Sequence, residues 1–254
     1  EMYIRDRCLS GRRNICQTVK ARGAAIDGGW REYFAVPEHE VYVLPKGITY
    51  REAALIEPFA IGGHCTGRAG IQGGESVLVL GSGTIGAVIL QTLKQKGCRV
   101  ICADINESSL KRAKEYGADS VVNTKVHNLR ECVQKFTNGA GVDVIFDSAC
   151  YPGSLTAVLE QGIPANGATI VPLGFCTEPE GITQAMINAR ELSIIGTRMS
   201  SGQFEPTIRN FAQGKFQLDG MVSHYIPFDQ VDQVFQNMLH PVKDMKKMVI
   251  VFGE

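Results

Sequence analysis

The sequence has no surplus charge of either sign: 26 Lys and Arg offset 26 Asp and Glu over 254 residues. Nucleic-acid binders and anionic-membrane binders need a basic excess, so neither partner is expected. It has no unbroken apolar run long enough to span a bilayer. The closest approach, residues 76–93, is uncharged, but Gly-Ser-Gly-Thr-Ile-Gly interrupts it, leaving a short strand, a turn and a helix start. It has no internal repeat and no low-complexity segment, which excludes solenoids and fibrous arrays. Only 20% of residues are charged against 44% apolar, which excludes disorder. Its eight cysteines, at positions 8, 16, 65, 98, 102, 132, 150 and 176, never form a Cys-x-x-Cys pair. Several lie in apolar runs, as expected of reduced thiols in a cytoplasmic protein.

Against these absences stands an abundance of glycine, 28 residues, and a regular rhythm. Short β-rich runs occur at 76–80, 98–103, 119–122, 143–147, 168–173 and 192–196, with starts 21 to 25 residues apart. Helical patterns at 84–96, 107–116, 128–137 and 153–161 lie between them. Strands that are apolar nearly throughout are buried on both faces, so the expectation is α/β: a doubly wound, six-stranded parallel sheet. The flanks read differently. Residues 27–45 alternate and turn at Gly28-Gly29, which suggests antiparallel, barrel-like strands. A helix is expected over 46–60, reaching Pro58, others at 204–213 and 228–239, and a closing strand at 246–252. The division expected is 60–199 for the sheet domain, inserted in a second domain made of 1–59 and 200–254.

The most informative motif is Gly81-Ser82-Gly83-Thr84-Ile85-Gly86, placed between a strand and a helix. The first glycine makes the tight turn, the second lets the backbone approach a pyrophosphate, and the third lets helix and strand pack closely. The helix N-terminus offers free amides to the phosphates. Asp104, with Ile105 after it, ends the second strand. A carboxylate there accepts both ribose hydroxyls and repels a 2′-phosphate, so NAD is favoured over NADP.

These residues carry a resemblance that covers essentially the whole chain. Cys8-Leu9-Ser10-Gly11-Arg12-Arg13-Asn14-Ile15-Cys16, Asp27-Gly28-Gly29-Trp30-Arg31-Glu32-Tyr33 and Ala54-Leu55-Ile56-Glu57-Pro58 join the glycine turn and Ala103-Asp104-Ile105-Asn106. Together they resemble the medium-chain, zinc-dependent alcohol and polyol dehydrogenases, in the sorbitol and threonine dehydrogenase branch. Asp147-Ser148-Ala149-Cys150-Tyr151-Pro152, Leu173-Gly174-Phe175 and Gly196-Thr197-Arg198 are closest to its L-galactonate or starvation-sensing type sugar-acid oxidoreductases. The resemblance implies a Rossmann domain inserted in a GroES-like catalytic domain that is incomplete here. About 90 residues of such an enzyme would precede Glu1. It implies NAD and zinc as cofactors, and transfer of a hydride from a secondary alcohol to NAD.

The resemblance also assigns residues. The main ligands of the catalytic zinc, a Cys and a His-Glu pair, would lie before Glu1. Glu57 matches the glutamate at that zinc, as a ligand or through its bound water. Cys8 and Cys16 match half of a four-thiolate structural zinc lobe, whose other two places fall on Met2 and Arg5. Lys247 stands where the family often has a cation near the cofactor phosphates. The strand exits at Ala149 and Cys150, at Leu173, Gly174 and Phe175, and at Thr197 and Arg198 would flank the cofactor. Arg198 could instead bind a substrate carboxylate. The apolar sixth strand would sit at a sheet edge covered by a second subunit, giving a dimer or tetramer. Two other readings stay open: a zinc-free enzyme of the quinone-reductase branch, and a non-catalytic NAD-binding module.

Overall fold

The six β-rich runs form one parallel sheet. In the computed structural model, which describes residues 6–239 and 246–253, they are β1 (Ser76–Leu80), β2 (Arg99–Asp104), β3 (Ser120–Asn123), β4 (Val142–Asp147), β5 (Pro164–Pro172) and β6 (Ser193–Ile194). Their order is β3-β2-β1-β4-β5-β6. Val77, Leu78 and Val79 have no exposed surface at all, so both faces of β1 are covered, as a central parallel strand requires. Leu78, Ile101 and Val122 pack with Val133 and Val158 from the helices Leu129–Thr137 and Ser154–Glu160. Burying each such side chain contributes about 1.5–3 kcal/mol.

The helices begin where the sequence supplies caps. The Asn106 side chain accepts from the Ser108 and Ser109 amides ahead of Glu107–Glu115. Asn128 accepts from the Glu131 amide ahead of Leu129–Thr137, which ends on Asn138 in the left-handed region at φ 53°. In register, Leu80 pairs with Ala103 of β2 on one side and with Asp147 of β4 on the other. The chain leaves β1 toward β2 and β3, then returns to lay β4 on the opposite side. The carboxyl ends of β1 and β4 therefore flank the crevice where the strand order reverses.

The chain divides into two compact units, one ending at Ala60 and resuming at Met199, the other comprising Ile61–Arg198. The helix Ile56–Arg68 carries the chain from the first into the second. In the first unit, Phe59, Phe211 and Phe216 form an aromatic cluster with ring centroids 4.0–5.4 Å apart. β7 (His224–Pro227) pairs in parallel with β8 (Met248–Val251), and the helix Val231–Leu239 lies between them in sequence.

Several local expectations are corrected. Residues 27–45 contain no strand: they are turns and extended chain with one short 3-10 helix, Glu38–Glu40. A strand needs a hydrogen-bonded neighbour, and no described segment lies alongside to provide one. Val43 and Tyr33 are accordingly 90% and 89% exposed. The single helix expected over 46–60 is two. Tyr50–Ala53 is closed by a capping box in which Thr49 and Glu52 exchange hydrogen bonds. Pro58 falls in the first turn of Ile56–Arg68, where its missing N–H costs nothing. β5 starts earlier than expected because the register slips between Val142 and Val144 to admit Pro164. β6 is only two residues long.

Candidate functional site

The glycine turn sorts its three glycines by what surrounds them. Gly81 lies at φ +82°, and a side chain there would meet the Ala149 amide nitrogen at 2.8 Å. Gly86 is packed so closely that a Cβ would overlap the Gly81 carbonyl oxygen. Gly83 faces nothing within 4 Å. One glycine therefore makes the turn, one lets the helix seat against the strand, and one leaves room for something the chain itself does not supply. The helix Thr84–Gln95 starts at Gly83 with no side-chain cap, which leaves its first amides to be satisfied by something other than a capping side chain. The Ser82 hydroxyl is buried and has no hydrogen-bond partner. These features fit an anion cradle.

Asp104 closes the opposite wall. Its Oδ2 accepts from the Ser82 amide at 2.6 Å, and its Oδ1 accepts from the Asn106 amide at 2.8 Å. Each carboxylate oxygen has a further lone pair, so both remain able to accept from a diol. Above the turn opens a cleft of about 820 Å³. Leu80, Gly81, Gly83, Asp104, Ile105 and Ala149 line it, joined by Thr124, His127, Asn128, Tyr151 and Gln161, to which the sequence assigned no site role. Thr124, His127 and Asn128 follow β3, and the rule that ligands lie beyond strand carboxyl ends could have found them.

The floor between β1 and β4 is stapled by Ser148. Its amide donates to the Leu80 carbonyl at 2.8 Å, and its hydroxyl lies 2.8 and 2.9 Å from the Leu80 and Gly81 carbonyls. Buried Asp147 folds the loop that follows: one oxygen accepts from the Ala149 and Cys150 amides at 3.2 Å, the other from the Ser154 hydroxyl. Sequence reasoning missed both roles because they depend on cross-strand register.

The remaining expected residues fall outside this cleft lining. Thr84, Ile85 and Gly86 are the first residues of the helix Thr84–Gln95. At the β5 exit, the Leu173 amide donates to the Asp147 carbonyl at 3.0 Å, Gly174 packs against Cys150, and Phe175 is 81% exposed. After β6, the Thr197 hydroxyl is buried without a partner. The Arg68 guanidinium holds the neighbouring Gly196 carbonyl through Nε and Nη2 at 3.3 and 3.2 Å. Arg198 is exposed.

Glu57 and Lys247 belong to the other unit. The Glu57 carboxyl is raised above its ordinary value by desolvation, and the Lys247 charge opposes that shift. Cys16 is buried with its sulfur 3.5 Å from the Thr18 hydroxyl, and Cys8 is half-buried. Met2 and Arg5 lie outside the described residues. Among the described residues no three of His, Cys, Asp and Glu gather as a metal site. The donors present therefore do not by themselves fit a zinc ion, at Glu57 or at the Cys8 and Cys16 pair.

A doubly wound sheet with an open glycine turn at its switch point defines a dinucleotide-binding α/β protein, and the sequence profile of the zinc-binding dehydrogenases matches residues 84–213. The chain belongs to the zinc-binding dehydrogenase family. It is 32% identical over 249 residues to the starvation-sensing protein RspB of Escherichia coli K12, covering 97% of this chain and 72% of that protein. It is 28% identical over 258 residues to sorbitol dehydrogenase 1 of Saccharomyces cerevisiae, covering 98% and 71%. Among solved structures, RspB of E. coli CFT073, described as an alcohol dehydrogenase complexed with NADH, superimposes with a TM-score of 0.91 at 30% identity. That match covers 98% of this chain and 74% of the other.

Proposed function

We propose that this protein is an NAD-linked dehydrogenase that moves a hydride between a secondary alcohol, of a polyol or sugar acid, and NAD. The observation that carries the reading is the pairing of the open glycine turn at Gly81 and Gly83 with the Asp104 carboxylate in one cleft. In this reading the amides at the start of Thr84–Gln95 hold the pyrophosphate, and Asp104 accepts from the adenosine ribose and disfavours a 2′-phosphate. Ile105, Ala149 and Tyr151 enclose the adenosine end. Leu173, Gly174, Phe175 and Thr197 face the nicotinamide end, where the unpartnered Thr197 hydroxyl suits a carboxamide. Arg198 serves that end or a sugar-acid carboxylate. The nicotinamide supplies hydride chemistry, and the protein supplies its position and field.

Zinc is the metal of the family, and the described residues do not by themselves assemble its site. Glu57, with its raised carboxyl, and Lys247 belong to the catalytic half of the reading, residues 1–59 and 200–254, with 60–199 binding the nucleotide. A homo-oligomer across the free edge of β6 and a cytoplasmic setting complete it. No described helix is long and apolar enough to cross a membrane. The names of the relatives support the substrate class.

The test is titration with NADH and NADPH, followed by nicotinamide fluorescence, together with NADH formation from a panel of polyols and hexonates. Saturable NADH binding, with NADPH at least about tenfold weaker, is expected; tenfold corresponds to about 1.4 kcal/mol. Absence of saturable NADH binding overturns the reading, and a preference for NADPH favours the quinone-reductase branch.

A further inference from the structure

Of the eight cysteines, only Cys150 and Cys176 are exposed. Cys65, Cys98 and Cys102 are buried, and desolvation pushes their thiols up to about 12, 11 and 12. A thiol so placed carries almost no reactive thiolate near neutral pH. Cys150 is held in the left-handed region at φ 55° by the Asp147 carboxylate on its amide. Its sulfur rests against the chain leaving β5: a side chain built on Gly174 would start 2.8 Å from that sulfur and 2.6 Å from its Cβ. Cys176 follows two residues later; desolvation, then the Asp147 charge, then Cys176 itself raise the Cys150 thiol above its ordinary value. Residues 173–177 belong to no helix or strand, so the segment can move without breaking the sheet.

We propose that Cys150 and Cys176 form a peroxide-oxidisable pair that closes a disulfide between the exits of β4 and β5 and thereby impairs the nucleotide cleft. The Cys176 thiolate attacks hydrogen peroxide: an S–O bond forms, the O–O bond breaks and hydroxide leaves, giving a sulfenic acid. The Cys150 thiolate then attacks that sulfur: the S–S bond forms, the S–O bond breaks and a second hydroxide leaves. In sum, two thiols and one peroxide give one disulfide and two waters. The order of attack follows from the surroundings. Desolvation and the Asp147 charge disfavour the Cys150 thiolate, so Cys176 meets the peroxide first and Cys150 resolves the sulfenic acid.

A disulfide brings its Cβ atoms to about 3.8 Å, so closing it ties the segment that leaves β5 to Cys150. Its neighbours Ala149 and Tyr151 line the cleft, and one Asp147 oxygen accepts from both the Ala149 and Cys150 amides. The functional half of the proposal rests on the dinucleotide reading of that cleft; the chemical half does not.

The test treats the chain with hydrogen peroxide and maps disulfides by peptide mass spectrometry. NADH is then titrated into the reduced, oxidised and dithiothreitol-restored forms, with Cys176→Ser alongside. Expected are a peptide linking Cys150 to Cys176, NADH binding at least about tenfold weaker after oxidation, recovery on reduction, and a Cys176→Ser protein whose binding peroxide leaves unchanged. Both thiols remaining alkylatable, or linkage only to other cysteines, overturns the pair. Linkage with unaltered NADH affinity overturns the effect on the cleft. If the reduced chain binds no NADH, the dinucleotide reading fails, and the mass map still decides the disulfide.

Discussion

The Asp104 carboxylate accepts a 2.6 Å hydrogen bond from the Ser82 amide, so the residue proposed to select the nucleotide also holds the glycine turn in place. Removing the side chain should act on both. Asp104→Ala is expected to weaken NADH binding by at least about tenfold, or about 1.4 kcal/mol. It should also raise the affinity for NADPH relative to NADH, because the charge that opposes a 2′-phosphate is gone. Parallel titrations with both nucleotides check this; an unchanged ratio would remove Asp104 from nucleotide choice.

Gly83 and Gly86 should fail in different ways. A methyl group on Gly86 overlaps the Gly81 carbonyl, which is backbone and cannot step aside. Gly86→Ala is expected to destabilise the fold by roughly 2–4 kcal/mol, within the range for overpacked positions. Gly83→Ala has open space around its Cβ, so its melting temperature should stay within a few degrees of the parent while NADH binding falls. Thermal melts and NADH titrations on the two variants separate packing from ligand room.

The sheet was legible in the sequence because buried parallel strands are apolar on both faces, and β1 to β4 fall within two residues of their expected bounds. The turn at 81–86 was legible because Gly81 and Gly86 have backbone reasons to be glycine and Gly83 keeps the spacing between them. What escaped was set by partners far away in the chain. Ser148 gains its role from the Leu80 and Gly81 carbonyls, and His127 joins the cleft through the chain that follows β3, which the strand order places beside β2 and β1. The strands expected over 27–45 failed for the opposite reason: their alternation is real, but no described chain pairs with them.

Glu57 and Lys247 should reveal each other through pH. Desolvation raises the Glu57 carboxyl above its unfolded value of 4.5, and Lys247 opposes the rise. Between 4.5 and that raised value the folded chain binds more protons than the unfolded one, so this group makes stability fall as pH increases through the window. Lys247→Met removes the opposing charge and should raise the Glu57 carboxyl further, widening the window toward neutral pH. Glu57→Gln should abolish this slope. Denaturant melts across mildly acidic pH, compared for parent and variants, provide the measurement; identical slopes in all three would contradict the assignment.

Asp147 should prove necessary to the cleft without touching its contents. It is buried at 3% exposure, and its two oxygens take the Ala149 amide, the Cys150 amide and the Ser154 hydroxyl. Asp147→Ala leaves these three donors short of an acceptor and frees Cys150 from its left-handed conformation. The expected loss is about 2–4 kcal/mol, from a cost of about 1–3 kcal/mol per unpaired buried donor offset by relaxation of the loop. Asp147→Asn keeps one carbonyl for the two amides, and the Ser154 hydroxyl can turn to accept from the new amide group. Its stability loss should be near 1 kcal/mol, the scale of a single neutral hydrogen bond. If the loop shapes the wall formed by Ala149 and Tyr151, the alanine variant weakens NADH binding at temperatures where it remains folded, and the asparagine variant largely restores it. Equal NADH affinity in a folded alanine variant would show that the wall holds its form without the carboxylate.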